Sequence, residues 1–173
     1  VLLDPLRAHE HRLPRAHVGG VTQIAWGSSA KFFTSFGQDG AARRWEISEE
    51  PIHTAWRPPH DARGTLVFSA DGAWLAATDS SGHINIWKDR NGEFTSTASF
   101  VREQAASMSF HPGGTLLAVG TAGNLYLVDP RTGEEVARIP HIDIVNGVSF
   151  SADGSSLATV SSKVLQFWNT EDI

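Results

Sequence analysis

Short apolar runs separated by turn residues fill the chain, and their alternation has a period of two. Val21-Thr-Gln-Ile24-Ala-Trp26 is one such run, closed by an aromatic residue. Val67-Phe68-Ser69-Ala70-Asp71-Gly72 leads into Leu75-Ala76-Ala77-Thr78. Met108-Ser-Phe110-His-Pro-Gly113-Gly114 and Val148-Ser-Phe150-Ser-Ala-Asp153-Gly154 repeat the same design, each followed by Leu-Ala. Asp-Gly and Gly-Gly suit tight hairpins, where central residues adopt positive φ. A third short strand follows each hairpin, predicted at 42–45, 83–87, 124–128 and 164–168. Polar turns such as Asp89-Arg-Asn-Gly92 and Pro130-Arg-Thr-Gly133 come next, then a further strand such as 135–139. No window of about 11–18 residues sustains the 3.6-residue period of an amphipathic helix. The pattern predicts an all-β chain with four short strands per unit.

Two sets of anchors measure the unit. Trp26, Phe68, Phe110 and Phe150 close the first strands at intervals of 42, 42 and 40 residues. Leu3, Trp45, Trp87, Val128 and Trp168 close the last strands at intervals of 42, 42, 41 and 40. Agreement between the two defines four units of about 40–42 residues, a length typical of stacked repeats. Trp26, Trp45, Trp87 and Trp168 sit on anchors and are expected in the core; Trp56 and Trp74 sit off them, where inter-unit packing and an exposed interface compete.

Composition narrows the class. The chain has 173 residues, 40% hydrophobic and 19% charged, as in globular domains. A net charge of −5 argues against general nucleic-acid or anionic-membrane binding. With no cysteine, disulfides and thiolate metal sites are excluded, which fits a reducing, cytoplasmic setting. No apolar run approaches the roughly 18–20 residues of a membrane helix, and Val1-Leu-Leu-Asp-Pro-Leu-Arg lacks the layout of a signal peptide. A start without Met is expected of a fragment or processed segment.

Enzyme signatures are missing: there is no phosphate-binding Gly-x-x-x-x-Gly-Lys-Ser/Thr loop, no Gly-x-Ser-x-Gly elbow and no His-Glu-x-x-His helix. His9-Glu-His11 puts two imidazoles on one strand face without a third ligand, so an exposed polar strand is the expectation and no metal is assigned. Arg7, Arg12, Arg15 and Arg43-Arg44 form the local basic clusters, expected as solvated strand edges. No cofactor is implied.

On the period, the Asp-Gly hairpins, the His before a first strand (His17, His141) and the closing Trp followed by Asp or a relative (Asp4, Glu46, Asp129, Asn169), the sequence resembles the WD-repeat β-propeller family, with bacterial-type repeats. The likeness covers essentially the whole chain. It implies a β-propeller of four-stranded antiparallel blades packed face to face. It further implies a structural hydrogen-bond tetrad of His17, Ser35, Asp39 and Trp45 in the first unit, running from the Trp indole through the Ser hydroxyl to His and Asp. Catalysis by this Ser–His–Asp set is not expected, because Trp45 caps it and a triad is defined by geometry rather than composition. The other units depart from the pattern. The second has Ala77 and Ser81, the third Ala118, Ala122 and Val128, and the fourth keeps His141, Thr159 and Trp168 without the Asp.

We take residues 1–173 as a single propeller segment with units at about 4–46, 47–88, 89–129 and 130–169, beginning and ending at nearly the same repeat phase. An outer strand at about 8–14 is then an orphan, and the last unit lacks one. Four units left as an open arc would expose two apolar faces. Closure by another propeller segment is the favoured outcome, a second copy the next, and closure alone the third. The resemblance implies a non-enzymatic protein-interaction scaffold or sensor module within a larger multidomain protein or complex. The alternatives are a propeller-hosted enzyme or a nucleic-acid or phospholipid-binding module. Loops on a rigid scaffold are where partners dock, and Gln38, His60, Asp61, Arg63, Arg102, Glu103 and Asp143 are the candidate partner-binding residues. A protein or peptide partner is expected, with neither nucleic acid nor membrane.

Overall fold

The structure, a computed structural model, describes residues 16–26, 32–46, 53–56, 62–79, 81–90, 93–101 and 103–173. Fifteen strands form four antiparallel sheets in strict chain order. Sheet 1 holds β1 (Val21–Trp26), β2 (Phe32–Gly37), β3 (Ala42–Glu46) and β4 (His53–Trp56). Sheet 2 holds β5 (Ala62–Phe68), β6 (Trp74–Asp79), β7 (His83–Arg90) and β8 (Glu93–Val101). Sheet 3 holds β9 (Ser107–Phe110), β10 (Leu117–Gly120), β11 (Asn124–Val128) and β12 (Glu135–Pro140). Sheet 4 has three strands, β13 (Gly147–Phe150), β14 (Ser156–Val160) and β15 (Leu165–Asn169). A 3-10 turn, Thr170–Asp172, follows, capped by the Asn169 side chain. The region of the orphan strand expected at 8–14 lies outside the described residues.

The hairpins arise where turn chemistry demands them. Gly72, Gly114 and Gly154 take φ of 69°, 66° and 78° at the same point of three successive β1–β2-type hairpins, a left-handed conformation that side chains with a Cβ resist. In two of them a Ser–Asp pair locks the turn. Ser69 donates to Asp71 and Ser151 to Asp153, while each hydroxyl accepts the amide that starts the next strand, at Trp74 and Ser156.

Each sheet has two apolar faces, so burial depends on its neighbours. Phe36 and Ala42 of sheet 1 pack on Leu66, Leu75, Ala77 and Trp87 of sheet 2. The other face of sheet 2 (Trp74, Ala76, Ile84, Ile86) packs on Met108, Phe110, Leu117 and Val119 of sheet 3. Sheet 3 then turns Ala118, Leu125 and Leu127 onto Leu157, Phe150 and Trp168 of sheet 4. Polar links cross the same seams: Arg44 to Asp89 at 2.7 Å, Thr97 to the Pro130 carbonyl at 3.0 Å, and Ser107 to the Val145 carbonyl at 2.8 Å. Arg44 is thus drawn into an inter-sheet ion pair rather than standing as a solvated edge.

Sheets and sequence units are out of phase by one strand. β4 belongs to the second unit by sequence and to sheet 1 by pairing, with Ala42 opposite Trp56 and Trp45 opposite His53. Trp74 is buried between sheets 2 and 3, which resolves its two candidate roles in favour of packing, and Lys88 lies 4.8 Å over its ring. Trp45 and Trp87 are buried as expected. Trp26 is not: 57% of it is exposed. It lies on the face of sheet 1 turned away from sheet 2, tilted against Phe33, which stacks on Trp45. The Trp56 side chain lies outside the described residues.

Leu127 joins sheets 3 and 4 and is almost fully buried. Leu127→Ala should cost about 2–5 kcal/mol, the range for an unrelieved core cavity. Urea denaturation followed by tryptophan fluorescence measures it.

Candidate functional site

The turns joining the second and third strands of each sheet share one end of the stack with the loops that lead into each first strand. In sheet 1 these parts meet in a closed hydrogen-bond chain. Antiparallel register sets Ser35 opposite Arg43 and Phe33 opposite Trp45. Trp45 Nε1 donates to Ser35 Oγ at 2.7 Å, and His17 Nε2 stands 2.7 Å from the same Oγ. His17 Nδ1 meets Asp39 Oδ1 at 2.8 Å. The two imidazole nitrogens thus bridge Ser35 and Asp39, and Arg43 Nη1 also lies 2.5 Å from Nδ1. Gly37 makes room for the ring, because a methyl group there would overlap His17.

Asp39 gathers more. It accepts the Val18 amide at 3.2 Å, the Ala41 amide at 3.2 Å and Arg43 Nη1 at 2.8 Å. Burial alone would raise its pKa, but the bonds from His17, the two amides and Arg43 outweigh it and hold the carboxyl well below its ordinary value. The set has the composition of an acyl-transfer triad. Its serine, however, is buried with its oxygen occupied by Trp45, so it has no open nucleophile; the arrangement serves to tie outer strands to the inner loop.

Sheet 2 lacks the hydroxyl, having Ala77 opposite Asn85. Its turn is held instead by Asp79, which accepts the Ser81 and His83 amides at 2.8 and 3.0 Å. Desolvation opposes these bonds but loses to them, and the Asp79 carboxyl is shifted below its ordinary value. In sheet 3, Val119 pairs with Tyr126 and so occupies the Ser35 position. Register thereby corrects the Ala118 assignment, since Ala118 points to the opposite face. The carboxylate now comes from the preceding loop: Glu103 accepts from Thr121 Oγ1 at 3.0 Å. In sheet 4, Trp168 Nε1 donates to Thr159 Oγ1 at 3.1 Å, and His141 lies edge-on to Trp168 at 5.8 Å. Burial pushes the His141 pKa down. Asp143, again from the preceding loop, accepts from Ser162 Oγ and the Ile144 amide, and these bonds lower its pKa. Every second-to-third-strand turn is thus met by one carboxylate: Asp39, Asp79, Glu103 and Asp143.

Among the candidate partner-binding residues, Glu103 and Asp143 are therefore engaged in holding turns. Gln38 is exposed, with its amide bonded to the Gly20 carbonyl at 2.9 Å. His60, Asp61 and Arg102 lie outside the described residues, as does the Arg63 side chain. What the sequence did not single out is a cleft of about 710 Å³ at this end of the stack. Gln23 of β1, Thr65 of β5, Thr78 and Asp79 of β6, Ser81 and Gln104 contribute its polar walls. Its one visible signal was the pair of polar loops 79–81 and 102–104. Among the described residues no His, Cys, Asp or Glu cluster could hold a metal ion, and no helix is long and apolar enough to cross a membrane.

Antiparallel sheets of three or four strands, stacked face to face, repeated every 40–42 residues and clasped at one end, define a β-propeller type of repeat protein. Two stretches of the chain carry repeats of the WD-repeat family. The family model "WD domain, G-beta repeat" matches residues 52–88 and 133–169. The chain is similar to the human U3 small nucleolar RNA-associated protein 4 homolog, 22% identical over 94% of this chain and 24% of that protein. It is likewise similar to the target of rapamycin complex subunit wat1 of Schizosaccharomyces pombe, 23% identical over 91% of this chain and 53% of that protein. Echinoderm microtubule-associated protein-like 2 of Rattus norvegicus is 26% identical over 98% of this chain and 27% of its own length. The chain therefore spans about a quarter to a half of these three relatives. The repeats and these relatives support protein-interaction scaffolding as the general role and point away from catalysis.

The clasps make stability pH-dependent. Asp39, Asp79 and Asp143 have folded-state pKa values below their ordinary 3.8, so their contribution is complete above about pH 5 and fades as pH falls through 4 and below. Urea midpoints should decline along that acid limb. Asp39→Asn should lose about 1.5–3 kcal/mol at neutral pH and show a flatter acid limb. Ser35→Ala should lose about 1–2 kcal/mol through the orphaned indole and imidazole, without affecting partner binding.

Proposed function

We propose that the chain is a non-enzymatic interaction scaffold that works as one segment of a larger propeller, with residues 1–173 contributing the repeat units at about 4–46, 47–88, 89–129 and 130–169. The supporting observation is the register of its exposed apolar residues. Leu165 and Phe167 pair with Val160 and Ala158 on the outer face of sheet 4. The same register positions are Ile84 and Ile86 in sheet 2 and Leu125 and Leu127 in sheet 3, each covered by the following sheet. Those four are 0–2% exposed, whereas Leu165 is 59% and Phe167 73% exposed. At the other end Ile24 and Trp26 stand 65% and 57% exposed. The equivalent residues of sheet 3, Met108 and Phe110, are buried against the preceding sheet. Both end faces thus carry the residues of an interior seam.

A further propeller segment is the occupant that fits such faces best, and it agrees with relatives that extend well beyond the matched region. A second copy of the chain would present the same chemistry. The loop end of the stack then receives a protein or peptide partner in a cytoplasmic complex, by analogy with the relative whose name places it in a target of rapamycin complex. The clasp residues His17, Ser35, Asp39 and Trp45 act in this reading as structure, without cofactor or metal.

Light scattering with a hydrophobic dye tests the proposal. The isolated chain should bind the dye and associate, and Leu165→Asp with Phe167→Asp should reduce both while leaving the β-sheet circular dichroism unchanged. A clean monomer of 18.7 kDa that binds no dye would overturn it.

A further inference from the structure

The 710 Å³ cleft at the loop end is of a size that accommodates a side chain or small ligand, and its chemistry is one-sided. Gly64, Ala105 and Ala106 keep the walls shallow and leave the space to the polar groups around them. Gln23 Oε1 is buried and has no hydrogen-bond partner, a position that costs free energy unless a donor arrives. Asp79 is the one ionisable group lining the cleft among the described residues. Its Oδ1 is taken by the Ser81 and His83 amides, with His83 Nδ1 a further 3.5 Å away. Its Oδ2 faces only the Asn85 amide, at 3.5 Å, beyond ordinary hydrogen-bond length. The Asp79 side chain retains 13% exposure. Gln23, with a buried and unpaired carbonyl oxygen, and Asp79, with an under-used carboxylate oxygen, therefore line the same cleft.

We propose that this cleft recognises a basic side chain, lysine or arginine, of a peptide partner, with Gln23 Oε1 and Asp79 Oδ2 accepting from its head group. The proposal rests on the scaffold reading above and names the chemistry of the partner. A carboxylate in the same place would meet Asp79 with like charge. An apolar side chain would leave Gln23 without a donor. A cation satisfies both, and charge-assisted bonds of this type are about twice as strong as neutral ones. The net charge of −5 draws such a peptide toward the chain. Thr65, Ser81 and Gln104 stand on the walls, where they reach the peptide backbone.

Random dodecapeptides displayed on phage and panned on the intact chain test this. The enriched peptides should share a lysine or arginine. Replacing that residue by norleucine or citrulline in the synthetic peptide should weaken binding roughly tenfold, as should Gln23→Leu in the protein with its melting temperature unchanged, and Asp79→Asn with a lowered melting temperature because that carboxylate also holds its turn. Asparagine keeps an acceptor for the turn amides, and Gln23→Leu leaves that turn untouched, so one variant remains informative if the other unfolds. Enriched peptides without a basic residue, or binding indifferent to both variants, would overturn the pocket while leaving the scaffold intact. Enrichment of no peptide at all would overturn both.

Discussion

Everything in this chain depends on a sheet burying two apolar faces, one against each neighbour. A single four-stranded sheet has no interior of its own. Three seams supply the cores: Phe36 and Ala42 on Trp87, Ile84 and Ile86 on Met108 and Phe110, Leu125 and Leu127 on Leu157. Each seam removes large side chains from water at about 25 cal/mol per Å², and stability is a sum over seams more than a property of any one sheet. The same rule explains why equivalent residues fare so differently. Ile86 and Phe167 hold one register position, and the presence or absence of a following sheet decides which is dry.

Polar chemistry has a secondary, local task. It sets the ends of strands and the closeness of loops, and it varies from sheet to sheet while the seams stay alike. Sheet 1 uses a buried Trp–Ser–His–Asp chain reinforced by Arg43. Sheet 2 uses a carboxylate on backbone amides, and sheets 3 and 4 borrow a carboxylate from the preceding loop. What is maintained is an anion beside each turn that accepts from its amides and hydroxyls. The identity of the residue that provides it is free to move.

The repeat, the hairpins and the family were legible because they rest on short-range signals: an aromatic or apolar anchor every 40–42 residues, and glycine where φ must be positive. So were the four members of the first clasp, which share one unit. The loop-derived carboxylates were not. Glu103 and Asp143 act through the fold of a loop over its neighbour, and no spacing within a unit encodes that. Counting back from the closing residue lands on Ala118 instead of Val119 because the second-to-third-strand turn of sheet 3 is one residue shorter than that of sheet 1, a slip that turns a side chain to the opposite face. Trp26 was expected inside because anchors are inside when a sheet precedes them. The cleft joins β1, β5, β6 and the 103–106 loop, so its residues are neighbours only in space.

The one-strand offset between unit and sheet bears on how such a chain changes length. β4 closes sheet 1 yet travels with the coding segment of the second unit. Duplicating or deleting an internal unit therefore exchanges an outer strand for an equivalent one. Repeat number can then change inside the array while the internal sheets keep four hydrogen-bonded strands.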